Sequence, residues 1–427
     1  MKVLIITHGT RGDVQPFAAL GLALRQAGHE AVLAAPAASA SLAAHHDLPF
    51  LPLHDGPNTL MDEPEIREAI DSNYRGLRGK KLALQMMRRS KPLMGRVIKD
   101  IAGTAAEGAD LVVHIVGIPG HHVAEKLGVP SVPVALQPVW VPTGAFPNPM
   151  LPVRMPRALN RASYLPIKLM LRSFAGVADD VRKRDLELPR RRGRHDPLRR
   201  ADGGPATVLQ AFSPGLLPAD PGYPEEVHTT GFWYLPAARD WTPAPELAAF
   251  LDDGPPPVSI GFGSMAGTDP GRVGRIVAEA IRLAGVRAVL VSGWGGMALD
   301  DLPENVMLVD QVPHDWLFPR MATVVHHGGG GTTGAALASG RPQVVCPFVA
   351  DQPFWAARVH AAGVAPAPQP QRRLTAEGLA GAIRQAVSDS FMAARAAALG
   401  EKVRAENGVA AAITVLESLN RPPGPAA

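Results

Sequence analysis

With 427 residues the chain is too long for one ordinary hydrophobic core and divides most naturally into two domains of roughly 200 residues. Hydrophobic residues make up 46% and charged residues 19%, which excludes a disordered chain and predicts packed globular domains. A net charge of +4 is too small to argue for nucleic acid, while the pI near 9.3 suits approach to an anionic small molecule or an acidic membrane surface.

The chain opens with a strand, a loop and a helix: K-V-L-I-I, then T-H-G-T-R-G-D-V-Q-P, then F-A-A-L-G-L-A-L. Lys2 precedes only this short apolar strand, which is no signal peptide. No run approaches the ~18 apolar residues of a membrane span, so the cytosol is the expected compartment. Asp13 sits in the loop after the first strand, where open α/β sheets place their ligands. Further strands are predicted at 30–35, 110–115 and 131–136, and their alternation with helices implies a parallel sheet. Residues 74–99 mix apolar side chains, Met86 and Met87 among them, with many Arg and Lys. That pattern predicts a helix pair with one buried and one solvated face, or alternatively an apolar ligand groove with its basic side near a membrane. His114 ends a strand and His121 with His122 opens a helix; no third ligand in register makes a zinc site. Gln137, Trp140 and Phe146 lie in a Pro-rich loop whose aromatics stack on a flat ligand or pack against the domain.

The basic run at 182–200 reads as a solvated loop, with membrane-surface contact as the alternative. After a strand at 207–211, a Pro-rich stretch leads to a linker at 235–243, and a fresh α/β pattern follows. The strand at 257–264 ends in Gly263 and Ser264, apt for an anion; further strands are predicted at 287–294 and 306–312. Then V-V-H-H-G-G-G-G-T-T and an Ala-rich segment form strand, loop and helix. Glycines let backbone approach a ligand and the helix start attracts an anion, so this is a phosphate cradle. Gly340 stops the helix, and an apolar run at 344–348 delivers Asp351 and Gln352, one carboxylate and one amide suited to sugar hydroxyls. A purely structural turn is the bland alternative. A nicotinamide-binding loop fits poorly, because G-x-G-x-x-G is met only trivially by a glycine run; a P-loop lacks its Gly-Lys-Ser/Thr. The lone cysteine, Cys346, excludes an internal disulfide and reads as a small core hydrophobe. Residues 376–419 are Ala-rich and helical, and Pro422, Pro423 and Pro425 end the order.

The segment H-H-G-G-x-G-T-T, G-x-P-Q-V-V and D-Q-x-x-W, through Trp355, resembles the donor signature of the UDP-glycosyltransferase superfamily, in its bacterial sterol glucosyltransferase and antibiotic glycosyltransferase branch. The opening G-T-R-G-D-V-Q-P resembles the same branch independently. The resemblance implies two facing Rossmann-like α/β domains of the GT-B type with an interdomain cleft. Residues 1–234 would bind acceptor, 244–400 the nucleotide sugar, and 401–427 would return to the first domain with a disordered tip. It implies Asp13 as general base, with His8 as the competing base. It also implies donor contacts by His327, Gly329, Gly331 and Thr332 to the diphosphate, by Asp351 and Gln352 to the sugar, and by Gln311, Val312 and Trp294 to the nucleoside. Gly263 and Ser264 are the further donor-side loop, and Thr10 and Arg11 hold sugar or phosphate oxygens or are simply loop residues. Met86, Met87, Gln137, Trp140 and Phe146 are the acceptor candidates. His326 is one place off the pattern and is assigned no role. The chain has no D-x-D, so no metal and no cofactor beyond the co-substrate is expected. The activity expected is inverting transfer of a hexose to a hydroxyl of a lipophilic acceptor such as a sterol, with weak peripheral membrane contact. UDP-glucose leads as donor, since Gln352 favours a fully hydroxylated hexose. A natural-product transferase using a dTDP-deoxysugar is the alternative, and a catalytically silent sugar-nucleotide-binding partner protein a further one.

Overall fold

The computed structural model describes residues 1–60, 63, 65–66, 76–151, 155–189, 195–263, 270–292 and 303–419. The chain forms two compact units, the first comprising Met1–Asp62, Ala83–Leu235 and Glu406–Ala427, the second Glu63–Leu82 and Pro236–Ala405. Ser264, Trp294 and the Pro-rich tip lie outside the described residues.

In the first unit β1 (Lys2–Ile6), β2 (Glu30–Pro36), β3 (Phe50–Leu53), β4 (Leu111–Ile115), β5 (Ser131–Ala135), β6 (Val208–Gln210) and β7 (Val227–Thr229) form a parallel sheet in the order β3-β2-β1-β4-β5-β6-β7. Val3, Leu4, Ile5 and Ile6 are all buried, as a central strand covered on both faces requires. Leu4 pairs with Val32 on one side and Val112 on the other. The last described helix, Gly408–Leu419, places Ala412, Ile413 and Leu416 in this same core, and His29 Nε2 lies 3.0 Å from Glu417 Oε1.

The second unit holds β8 (Val258–Gly261), β9 (Ala288–Val291), β10 (Val306–Val309), β11 (Thr323–His326) and β12 (Gln343–Val345), parallel in the order β10-β9-β8-β11-β12. Both sheets therefore grow outward from their first strand in the same sense. Each has a switch point, between β1 and β4 and between β8 and β11, where neighbouring connections leave in opposite directions. Open α/β sheets bind ligands at the carboxyl ends of the strands at such a point. No helix among the described residues is long and apolar enough to cross a membrane.

Four sequence expectations are corrected. Asp13 is not in a loop: the first helix runs Arg11–Gln26, so Asp13 occupies its first turn, because Thr10 and Asp13 have helix-capping spacing. Residues 74–99 do not form a helix pair; one helix spans Gly76–Gly103 and continues through Pro92, losing one backbone bond there. The basic run is not wholly a solvated loop, since Arg182 closes the Ala175–Arg184 helix buried against Glu125. The run at 344–348 is strand only to Val345, and Asp351 caps the following helix, Gln352–Ala361, instead of ending a strand. Strands β3 and β7 had no forecast: β3 contains Pro52 and β7 is three residues long, too short for a period to register.

Candidate functional site

In the first unit the carboxyl end of β1 delivers Thr7, His8, Gly9 and Thr10 to the start of the Arg11–Gln26 helix. The Thr7 hydroxyl donates to the Asp13 carbonyl at 2.8 Å, tying strand to helix. The Asp13 carboxylate accepts from the Thr10 N–H at 2.8 Å and from the Thr10 hydroxyl at 3.2 Å, both on Oδ2. Oδ1 makes no hydrogen bond among the described residues and is the oxygen left for chemistry. Burial raises the Asp13 pKa above the ordinary 3.8, with the two Thr10 bonds pulling the other way. Gly9 makes this arrangement possible. Its φ is +138°, and a Cβ there would lie 2.3 Å from Asp13 Oδ2 and 2.6 Å from Cγ. Asn58 Nδ2 holds the same turn by donating to the Gly9 carbonyl at 2.7 Å.

His8 lies beside this loop. Its Nε2 is 3.1 Å from the His54 carbonyl, which can only accept, so the proton is on Nε2 and the lone pair on Nδ1. Burial lowers its pKa, keeping the ring neutral at pH 7. Gly56 packs against the ring, where a Cβ would come within 3.0 Å of it. Arg11 is exposed at the helix start, where the helix dipole opposes a cation. Of the acceptor candidates, Met86 and Gln137 are half-buried, Met87 is exposed, and Phe146 is buried. Trp140 leans on the loop after β4: a Cβ on Gly117 would meet its ring at 3.7 Å.

In the second unit the adjacent histidines at the end of β11 do opposite things. His326 is buried, accepts from the Gly328 N–H on Nδ1 at 3.0 Å and donates from Nε2 to Gln343 Oε1 at 2.8 Å. Both nitrogens are consumed by the fold, and burial drives its pKa down to about 3. His327 has a shielded Nδ1 without a partner, and burial lowers its pKa to about 4. Its ring lies between two glycines: a Cβ on Gly329 would sit 2.5 Å from Nε2, and one on Gly263 3.4 Å from Cε1. Gly329 is the N-cap of the Gly330–Ala338 helix, whose first N–H groups, including those of Gly331 and Thr332, have no intrahelical acceptor. The neighbouring Thr333 hydroxyl is buried and unpartnered. A neutral imidazole and a ring of free N–H groups at a helix N-terminus make a site for an anion such as a diphosphate.

Asp351 accepts from the Trp355 indole at 2.7 Å on Oδ2, which orients the carboxylate. Gln352 is buried, and its side-chain oxygen takes the N–H groups of Phe348 at 2.7 Å and Val349 at 3.2 Å, leaving the amide nitrogen as its remaining donor. Ala350, just before, is held at φ +57°, a costly conformation for a residue with a Cβ. Gln311 is exposed and Val312 half-buried just past β10, at the sheet edge. Gly9, Asn58, His54 and Gly56 escaped the sequence reading; the one available signal was the T-x-x-D capping spacing.

Residues 3–143 match the glycosyltransferase family 28 N-terminal domain, and residues 286–419 match the erythromycin biosynthesis protein CIII-like C-terminal domain. An O-mycaminosyltylonolide 6-deoxyallosyltransferase from Streptomyces fradiae is 37% identical, over 98% of this chain and 97% of its own. A sterol 3-beta-glucosyltransferase from Arabidopsis thaliana is 32% identical over 97% of this chain, which spans 64% of that longer protein. The Streptomyces glycosyltransferase SsfS6, solved with thymidine diphosphate, superimposes with a TM-score of 0.62 at 21% identity, covering 98% of this chain and 99% of its own; that likeness speaks to the fold.

Proposed function

The chain belongs to the GT-B glycosyltransferases that join a family 28 N-terminal domain to an erythromycin CIII-like C-terminal domain, and from that membership we propose inverting transfer of a hexose to a hydroxyl of a lipophilic acceptor. Asp13 carries the reading. Its Oδ1 is unengaged, its Oδ2 is anchored by Thr10, and its basicity is raised by burial, which are the properties of a general base. Asp13 takes the acceptor hydroxyl's proton while that oxygen bonds to the anomeric carbon. The bond from that carbon to the diphosphate oxygen breaks on the opposite face, so the configuration inverts. The charge left on the diphosphate is met by the N–H groups at the start of the Gly330–Ala338 helix and by neutral His327, fixed donors that need no rearrangement. Asp351 and the Gln352 amide hold sugar hydroxyls. No metal is invoked.

UDP-glucose with a sterol-like acceptor is the first reading of substrate. A dTDP-6-deoxyhexose with a macrolide-like acceptor is the second, supported by the 37% identity to a 6-deoxyallosyltransferase over nearly the whole of both chains. The test is transfer followed by mass spectrometry, with UDP-glucose and dTDP-glucose against sterols, flavonoids and macrolide aglycones, in wild type and Asp13→Ala. Transfer by wild type, lost in the variant while nucleotide binding persists, is expected. Undiminished transfer by the variant would move the base to His8 Nδ1.

A further inference from the structure

The turn that follows β3 grips the loop leading to Asp13 at two successive residues. His8 Nε2 donates to the His54 carbonyl at 3.1 Å, and Asn58, on the short helical turn Gly56–Leu60, donates from Nδ2 to the Gly9 carbonyl at 2.7 Å. This turn is itself tied down along its length. Asp100 Oδ2 accepts the His54 N–H at 2.8 Å, and Asp55 Oδ1 accepts that of Ala38 at 2.9 Å. His54 Nδ1 accepts the Gly56 N–H at 2.9 Å, and the Thr59 hydroxyl donates to the Gly56 carbonyl at 2.8 Å. Gly56 seats the turn closely: a Cβ there would lie 2.7 Å from Val97 Cγ2.

The oxygen that Asn58 holds belongs to the same peptide group as the nitrogen that anchors the carboxylate. The Gly9 C=O and the Thr10 N–H share one plane, fixed by the partial double bond between them. Asn58 bonds one end of that plane, and the other end donates to Asp13 Oδ2 at 2.8 Å. A carbonyl only accepts, so the NH2 of Asn58 and not its oxygen faces Gly9. Gly9, with φ +138° and no Cβ, leaves the rotation of this peptide to be set by its hydrogen bonds. A bond on the carbonyl also polarises the peptide and strengthens its N–H as a donor.

We propose that Asn58 is a positioning residue for the base: by holding the Gly9–Thr10 peptide it fixes the N–H that anchors Asp13 Oδ2, and so keeps Oδ1 in place to take the acceptor's proton. The word base rests on the glycosyl-transfer reading; the chain of bonds from Asn58 to Asp13 does not. The titratable groups near the loop are His8, Arg11, His54 and Asp55, with Arg96 and Asp100 on the Gly76–Gly103 helix. Asp13 itself is moved by burial, which raises its pKa, and by the two Thr10 bonds, which lower it. Weakening the Thr10 N–H bond therefore lets the pKa rise further.

Asn58→Ala is expected to lower kcat for sugar transfer about three- to tenfold, as the loss of one hydrogen bond would, with KM for the donor unchanged. The acid limb of kcat/KM should move to higher pH, and the ¹³C-labelled Asp13 carboxyl should titrate higher by the same amount. Asn58→Gln keeps the donor and should restore most of both. A residue that merely held the turn together would reduce the yield of folded enzyme and leave the limb where it was. Wild type supplies a test that needs no variant: the Asn58 side-chain and Thr10 backbone amide proton signals should titrate together with the Asp13 carboxyl. An unmoved Asp13 titration in folded Asn58→Ala overturns the proposal whatever the rate, as does an Asn58 signal in wild type that ignores Asp13. Coupled titration in a chain that transfers no sugar from any donor upholds the positioning of Asp13 and refutes the transferase reading instead.

Discussion

Substituting Gly9 by alanine tests the geometry around Asp13 without touching its chemistry. The added Cβ falls 2.3 Å from Asp13 Oδ2, 2.6 Å from Cγ and 2.7 Å from Cβ, far inside contact distance, so the side chain must leave its position. The backbone is also wrong for alanine, since φ is +138° and such conformations cost about 1–3 kcal/mol. Displacing the carboxylate removes its bonds to Thr10 but also relieves the burial that raises its pKa, so the backbone strain decides the loss. The expected loss of stability is thus about 1–3 kcal/mol, read as a lower urea midpoint with an unchanged slope. For activity, a shift of ~1 Å in a reacting group costs about a hundredfold. We expect kcat/KM for transfer to fall by about that factor, with affinity for the donor nucleotide unchanged, because the cradle proposed for it, around His327, belongs to the other unit. A double-mutant cycle sharpens the test: in an Asp13→Ala background, Gly9→Ala should cost little further rate, since it acts through the missing carboxylate. A Gly9→Ala enzyme within threefold of wild-type kcat/KM would refute the reasoning, as would full additivity in the cycle.

Two further outcomes follow from the same distances. Asp13 titrates above the ordinary 3.8 in the folded chain, so kcat/KM should fall with acid through that raised value. Because a raised folded pKa favours folding only while the group is protonated, ionised Asp13 is a burden at pH 7. Asp13→Asn should therefore be inactive yet more stable than wild type at pH 7, with the difference vanishing as the pH drops through the folded pKa towards the unfolded value; equal melting temperatures at pH 7 would contradict this. The two histidines at the end of β11 should separate in the opposite sense. His326→Ala strands Gln343 Oε1 and the Gly328 N–H and should cost about 2–4 kcal/mol in chemical denaturation. His327→Ala should leave stability within about 1 kcal/mol while lowering kcat at least tenfold, and matched effects in the two variants would be inconsistent with the geometry.

The sequence alone determined the two α/β halves, the strand–glycine–helix cradle, the Gly340 helix stop and the burial of Cys346. Each rests on local chemistry: apolar runs of strand length, glycines where φ is positive, as at Gly328 and Gly340, and a small thiol among β-branched neighbours. Tertiary structure alone decided what single side chains are for. His326 and His327 are identical neighbours in the chain, and only the approach of Gln343 from β12 makes one a strut and leaves the other unpaired. Arg182 stands in a run of charges that reads as solvated, until a partner 57 residues away, Glu125, makes it a buried ion pair. Gly9 is one glycine among many until the helix turns the Asp13 carboxylate back onto it. Periodicity and propensity report what a residue does to its own backbone, whereas hydrogen-bond partners and packing depend on which distant segments the sheet order brings alongside, and that order is a property of the whole fold.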